Sequence, residues 1–253
     1  MKIYTLGTSH GDATYCRFNS STVYETADGS LYLLDAGTPV EALMTRKGLK
    51  IQRLRAVFIT HMHDDHVSGI TNIIKSAVKY PAGREHGLAV FLPEAEALPP
   101  LRGWLDALHL KYDHMVTFGT VSDGVLYADN NLRITAIRTR HLTVNGVPSS
   151  FAYLLEFHRE DISILHTGDL RGDFSDFPKI ALEKPLTACL CEATHYKPTD
   201  AAPVLAEAKL GRLIFIHIHN PWHGPEGEAA LLSHYKFLPY PVDIAHDGDE
   251  FEL

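Results

Sequence analysis

The sequence predicts a layered α/β protein, on three observations. Short apolar strands alternate with helical stretches; one apolar run, "RAVFIT" at 55–60, reads as a strand buried on both faces; and polar residues recur where strands end. No repeat, low-complexity segment or charged linker interrupts the pattern, so residues 1–253 read as a single domain. In order along the chain, "STVYE" and "LYLLD" flank "TADGS", whose Asp28-Gly29 step signals a hairpin turn, and Asp35 closes that hairpin. After "RAVFIT", the positions Val67, Ile70, Ile73, Ile74, Ala77 and Val78 recur at helical spacing, which makes 59–69 a strand-to-helix turn. Residues 80–115 are the least regular, with a short strand, a Pro-rich turn and one helix, and are expected to be a peripheral or lid segment. Further on, "LRITAIRTR" runs into His141, "ISILHTG" into Asp169, "LTACLC" into Glu192 and "RLIFI" into His217. The carboxyl edge of strands is where layered α/β proteins bind ligands, so several strands aim His and Asp at one place.

Composition sets bounds on function. With 45% hydrophobic and 21% charged residues the chain is an ordinary globular protein. Its 23 basic against 31 acidic residues, a formal charge of -8, disfavour a broad nucleic-acid surface. The opening "MKIYTLGTSHGD" lacks the apolar run of a secretory signal, and no stretch approaches the ~20 apolar residues of a membrane span. Three cysteines, with Cys189 and Cys191 on one face of a strand, are no disulfide framework and suit a reducing compartment; the expected location is cytoplasmic.

The chemistry concentrates in "ITHMHDDHVSG", residues 59–69. His61 and His63 are two apart at a strand end and point the same way, whereas Asp65 and His66 are adjacent in the turn and diverge. One pair serves one ion and the other pair a second. Imidazole nitrogen and carboxylate oxygen are ligands for Zn, Mn or Fe(II), and a catalytic site leaves a position open for water. The later strands supply the rest: His141 for the first ion, His217 for the second, and Asp169 as a bridging carboxylate. Helix capping by Asp accounts for Asp64 but leaves His61, His63 and His66 unexplained.

"HMHDDH" resembles the HxHxDH signature of the metallo-β-lactamase superfamily, and Asp35 in "LLDAG", His141 in "TRHLTVNG", Asp169 in "HTGD" and His217 in "IFIHIH" match its other positions in order. The resemblance implies a four-layer αβ/βα sandwich with two divalent metal ions. It also implies that Asp35 holds a metal histidine or its loop rather than an ion. "LGTSHGDATYCRFNSS", "CLCEATHY" and "IAHDGDEFEL" resemble elements of the tRNase Z and cyclic-phosphodiesterase branch, which favours phosphodiester chemistry. Only 27 residues lie between His141 and Asp169, too few for the tRNA-gripping arm of tRNase Z, so a small or cyclic phosphodiester is the expected substrate. "FIHIHNPW" has a weaker likeness to the coenzyme PQQ biosynthesis protein of the same superfamily.

Two ions ~3.5 to 4 Å apart would lower the pKa of a bridging water and polarise a phosphoryl oxygen for in-line attack. Asp65 would orient that water, and a histidine would protonate the leaving alkoxide, with His195, His219, His223 and His246 as candidates and His195 and His246 foremost. His219 shares a face with His217 if the strand continues, as an outer partner or extra ligand. Arg17 and Ser20 could contact an anionic substrate, the arginine equally a structural ion pair. His86, His109, His114, His158 and His234 are assigned to structure or solvent. Two other classes share these residues: a carboxylic ester, thioester or lactone hydrolase, and a non-catalytic metal-binding protein. A homodimer is the commonest assembly for such a chain.

Overall fold

The computed structural model describes residues 1–253, which divide into two compact units: residues 1–121 with 246–252, and residues 122–245 with Leu253. In the first unit, β1 (Lys2–Gly7), β2 (Ser21–Glu25) and β3 (Leu31–Leu34) run antiparallel in turn, and β3 continues in parallel to β4 (Leu54–Phe58), β5 (Leu88–Leu92) and β6 (Val116–Thr120). The last strand of the chain, Asp249–Glu252, pairs antiparallel with β1 and completes a seven-stranded sheet. The turn between β2 and β3 forms where Asp28-Gly29 predicts it. Gly29 sits at φ 77, a left-handed value that a Cβ disfavours, and the Asp28 carboxylate accepts from the Thr26 hydroxyl at 2.7 Å and the Ser30 N–H at 2.9 Å.

Helices α1 (Val40–Arg46), α2 (Asp64–Val67), α3 (Ile70–Lys79) and α4 (Leu98–Ala107) belong to the same unit. The helical periodicity from Val67 is divided between α2 and α3 at Ser68-Gly69. A Cβ at Gly69 would come within 2.8 Å of the Ala36 carbonyl, so the break admits a close backbone approach. Ile70, Ile73, Ile74 and Ala77 then bury one face of α3 in the core, each isoleucine contributing about 1.5–3 kcal/mol. Residues 80–115 are not a peripheral or lid segment: β5 is hydrogen-bonded between β4 and β6 inside the sheet. The short strand and the helix expected there are present as β5 and α4, but the place of "LAVFL" inside the sheet is set by parallel pairing at long range.

The second unit is built on β7 (Gly124–Ala128), β8 (Leu132–Val144), β9 (Val147–Phe157), β10 (Ile162–His166), β11 (Ala188–Ala193), β12 (Leu213–Ile218) and β13 (Val242–Ile244). They form a second seven-stranded sheet in the order β13-β12-β11-β10-β9-β8-β7, antiparallel from β7 to β10 and parallel from β10 to β13. Helices α5 (Ile180–Glu183), α6 (Pro198–Glu207) and α7 (Gly224–Ser233) lie in this unit. Its core includes Phe174, Phe177, Tyr196, Leu205, Phe215 and Tyr235, and Cys189 and Cys191 lie in it fully buried, as the one-face reading of β11 expects. Both thiols are free, and burial pushes that of Cys189 up.

His141, Glu192 and His217 do not follow the ends of their strands, as expected, but lie within β8, β11 and β12. The β8–β9 ladder skips between Thr139 and Thr143, and the β11–β12 ladder skips His217, with Glu192 opposite Ile216 and Ala193 opposite Ile218. Irregular pairing re-aims a side chain without ending the strand. His217 pays for this with φ 50, a left-handed conformation that costs a branched or bulky residue on the order of 1–3 kcal/mol.

Candidate metal centre

In the first unit the candidate ligands follow β4. Asp35, at the exit of β3 with φ 58, is buried and accepts from the Thr60 N–H at 2.8 Å and the Thr60 hydroxyl at 2.9 Å. The same carboxylate lies 2.7 Å from His66 Nδ1, and His61 Nδ1 lies 3.0 Å from the Thr60 hydroxyl oxygen. An anionic acceptor fixes the proton on Nδ1 of His66, and Thr60, donating to Asp35, accepts from Nδ1 of His61. Both imidazoles therefore present an unprotonated Nε2. His61 Nε2 meets His63 Nδ1 at 2.9 Å, so these two histidines do point the same way. Asp65 and His66, expected to diverge, converge instead: His66 Nε2 is 3.3 Å from Asp65 Oδ2, and the His61 and His66 rings are 4.1 Å apart. The helical turn of α2 brings neighbouring side chains to one end. His63 is the N-cap of α2, without a side-chain capping bond, so Asp64 adds a first-turn charge rather than a cap.

The "DAG" loop is tied to this turn through the backbone: Ala36 N–H donates to the His66 carbonyl at 2.7 Å and Gly69 N–H to the Ala36 carbonyl at 2.7 Å. At Gly37 a Cβ would fall 2.2 Å from the Asp65 carbonyl, so only glycine allows the loop to lie this close.

In the second unit, His141, Asp169, Glu192, His195 and His217 gather. His141 Nδ1 donates to the Leu170 carbonyl at 3.2 Å, leaving Nε2 3.7 Å from Asp169 Oδ2. His217 Nδ1 donates to the Thr194 hydroxyl oxygen at 3.1 Å, that hydroxyl donates to the His217 carbonyl, and Nε2 lies 3.6 Å from Asp169 Oδ1. His195 Nδ1 is held at 2.9 Å by Glu192 and is 3.7 Å from Asp169 Oδ2, with its ring 4.3 Å from that of His141 and 5.5 Å from that of His217. The donor atoms of Asp169, Glu192, His195 and His217 all lie within 4.8 Å of one another. Glu192 was not among the expected site residues. Its carboxylate, buried in β11, accepts from the N–H groups of Leu170 at 2.6 Å and of Thr194 and His195 at 3.0 Å each. In the sequence Glu192 reads as one of the polar residues that strands deliver to this edge, within "CLCEATHY", with no role assigned to it there.

These donor sets fit divalent ions. His61, His66, His141 and His217 each have Nδ1 held by an oxygen of the protein, which orients the ring and turns Nε2 toward the other donors.

The other expected residues are placed as follows. β12 stops at Ile218, so His219 does not share a strand face with His217; it is the N-cap of a 3-10 turn at 220–222. Burial pushes its imidazole pKa down, and the neighbouring His195, His223 and His217 add to this. His223 Nε2 donates to the Ile218 carbonyl at 2.8 Å. His246 belongs to the first unit and is about half exposed, with Nδ1 3.3 Å from Asp249 Oδ2. Arg17 is buried at 2% exposure and donates to the Thr8 hydroxyl at 2.7 Å, which favours the structural role over a substrate contact. Ser20 is also buried. Thr8 and Phe18 in turn donate through N–H groups to Asp247, tying the first loop to the tail. No helix is long and apolar enough to cross a membrane.

Comparison with known proteins defines the class first. The YhfI protein of Bacillus subtilis, described as a metallo-β-lactamase fold protein, superimposes over 100% of this chain and 99% of its own with a TM-score of 0.79 at 19% identity. The short form of human tRNase Z does so over 100% of this chain and 99% of its own, with a TM-score of 0.74 at 17% identity. The fold is that of the metallo-β-lactamase superfamily, near tRNase Z. Within it, residues 1–198 match the family described as "Anti-Pycsar protein Apyc1", and the chain belongs to that family. Ribonuclease Z of Pseudomonas putida is 32% identical over 185 residues, which cover 69% of this chain and 56% of the relative. The chain spans about half the length of the curated relatives it matches.

Proposed function

We propose that the protein is a binuclear metal-dependent hydrolase of a small or cyclic phosphodiester, and that its ligands are His61, His63, Asp65, His66, His141, Asp169 and His217. The observation that carries the reading is the set of four imidazoles whose Nδ1 atoms are held by protein oxygens, leaving Nε2 for an ion. Zinc suits this set best, with manganese or iron able to use the same ligands. The ions, when bound, supply Lewis acidity to a phosphoryl oxygen and acidify water. Asp65 orients the attacking water, and Glu192 holds the His195 ring so that its Nε2 can deliver a proton to the leaving alkoxide. His246 is the second candidate for that proton. Support for a phosphodiester comes from the ribonuclease Z relatives. Support for a small one comes from the segment between His141 and Asp169, which the β8–β9 hairpin, its tight Asn145-Gly146 turn and β10 occupy without a protruding arm. The family description points to an anti-Pycsar setting for this activity. The substrate is a small molecule rather than nucleic acid, the protein acts in the cytoplasm, and a homodimer is its proposed assembly.

The test is hydrolysis of bis(p-nitrophenyl) phosphate by metal-loaded protein, beside p-nitrophenyl acetate and the Asp65→Ala variant, followed by cyclic mononucleotides. Metal-dependent diester turnover that Asp65→Ala abolishes is expected. Turnover of the acetate alone would transfer the assignment to an ester hydrolase, and metal uptake without any turnover to a binding protein.

A further inference from the structure

At the end of the first sheet opposite to its histidines lies a polar cavity of about 240 Å³, lined by Asp28, Gly29, Ser30, Gln52, Arg53, Arg55, Gly83, Glu85 and His86. Arg55 is the second residue of β4 and His61 follows its far end, which separates the two places by roughly 20 Å at ~3.3 Å per residue. Two guanidinium groups line this cavity, a third, Arg84, stands beside it in the chain, and none of the three is paired with a carboxylate. Arg53 Nη1 reaches only the Gly29 carbonyl at 3.4 Å, Arg55 Nε donates to the Ser30 hydroxyl at 2.7 Å, and Arg84 donates to the carbonyls of Ile51 at 2.9 Å and Leu54 at 2.6 Å. The Arg84 Nε is buried without an acceptor. Of the two acids at the rim, Asp28 is engaged by the Thr26 hydroxyl and the Ser30 N–H of its own turn, and Glu85 is exposed. Counting Arg84, three guanidinium groups stand against the carboxylates of Asp28 and Glu85, a local excess of one positive charge on a chain whose formal charge is -8.

The geometry of Arg53 is fixed by its neighbour. Its Nη1 occupies the space where a Cβ on residue 29 would stand, 1.8 Å from that position, so the guanidinium lies over Gly29 at the cavity wall. Arg55 is oriented by Ser30, and its remaining N–H groups are left for another acceptor. Guanidinium forks of this kind match the tetrahedral oxygens of phosphate, and a 240 Å³ polar cavity holds one phosphoryl group with a small substituent. His86 registers the same field: burial lowers its imidazole pKa first, and the charges of Arg55 and Arg84 lower it further.

We infer that the cavity between the β2–β3 turn and the segment 83–86 is an oxyanion site, distinct from the metal ligands, that binds a phosphate group through Arg53 and Arg55. The source of that group is either free inorganic phosphate or a phosphorylated small molecule. The measurement is the imidazole C–H resonances of His86, assigned by their loss in His86→Gln, during titration with inorganic phosphate and, separately, with adenosine 5′-monophosphate. Each titration is run on the wild type and on Asp65→Ala, so that binding at the metal ligands is separated from binding here. A saturable shift that survives Asp65→Ala and is weakened about tenfold or more by Arg53→Gln is expected, a charge-assisted bond to Arg53 being lost. A lower saturating concentration for the monophosphate identifies a phosphorylated small molecule as the ligand, and equal or tighter binding of phosphate identifies the free anion. Arg53 is exposed and makes one long bond, so Arg53→Gln folds and keeps diester turnover unchanged. No shift of His86 at about 10 mM of either compound, or a shift that Arg53→Gln leaves intact, overturns the site.

Discussion

Replacing Asp35 by Asn isolates what its charge does. Asparagine tolerates the left-handed φ of 58 as readily as aspartate, and its size is the same, so the hairpin exit keeps its backbone. Its carbonyl oxygen can still accept from the Thr60 N–H, which now stands 2.8 Å from Oδ1. The amide nitrogen then replaces Oδ2, the atom that accepts from the Thr60 hydroxyl at 2.9 Å and from His66 Nδ1 at 2.7 Å. A donor facing His66 Nδ1 favours the opposite tautomer, with the proton on Nε2, and the ring no longer offers a lone pair to an ion. Loss of such a supporting partner weakens metal binding by about 10–100-fold, or ~1.4–2.7 kcal/mol. The assay is a competition titration with a chromophoric chelator on wild type, Asp35→Asn and His66→Ala, with urea unfolding as the control for folding. A folded Asp35→Asn that holds its ions within about twofold of the wild type, while His66→Ala loses one, would refute the claim that Asp35 sets the tautomer.

Other expectations concern stability and pH. Gly37→Ala drives a Cβ into the Asp65 carbonyl at 2.2 Å and Asn19 Cβ at 2.6 Å; a loss of about 1–3 kcal/mol in urea unfolding is expected, together with weakened metal binding, because the loop must move. Glu192→Ala leaves the buried N–H of Leu170 and the partly buried N–H of Thr194 without their acceptor; a cost of about 2–5 kcal/mol is expected from the same measurement. Burial holds the His86 pKa below 6.5, so the unfolded chain takes up the proton first as pH falls. The stability owed to this group is complete above pH 6.5 and declines as pH drops toward the lowered folded value. Urea midpoints of the wild type should therefore fall below pH 6.5 more steeply than those of His86→Gln and run parallel to them above it.

Much of the first unit could be read from the chain because its signals are local. Asp28-Gly29 specifies its turn by backbone conformation and by the hydrogen bonds of one side chain, and Ile70, Ile73, Ile74 and Ala77 mark a helical face by spacing alone. The candidate metal ligands were legible for the same reason, four of them falling within residues 61–66. What escaped depends on partners distant in sequence. β5 is a strand of the sheet because β4 and β6 flank it, and nothing in "LAVFL" names those neighbours. The irregular ladders that re-aim His141 and His217 toward Asp169 leave no mark in composition, so strands that continue were expected to stop. The convergence of Asp65 on His66 follows from a single helical turn whose start no capping side chain announces.

The thiols of β11 give the second unit a built-in reporter. Cys189 and Cys191 are fully enclosed, whereas Cys16 stands in the open on the first unit. A disulfide-exchange reagent would consume one equivalent at once and the other two only as fast as the strand around them opens, so the slow phase times the breathing of that core in native buffer. Protection that lengthens when zinc is added would tie the rigidity of β11 to Glu192, Asp169 and His217, and the prompt reaction of Cys16 would serve as the clock's zero.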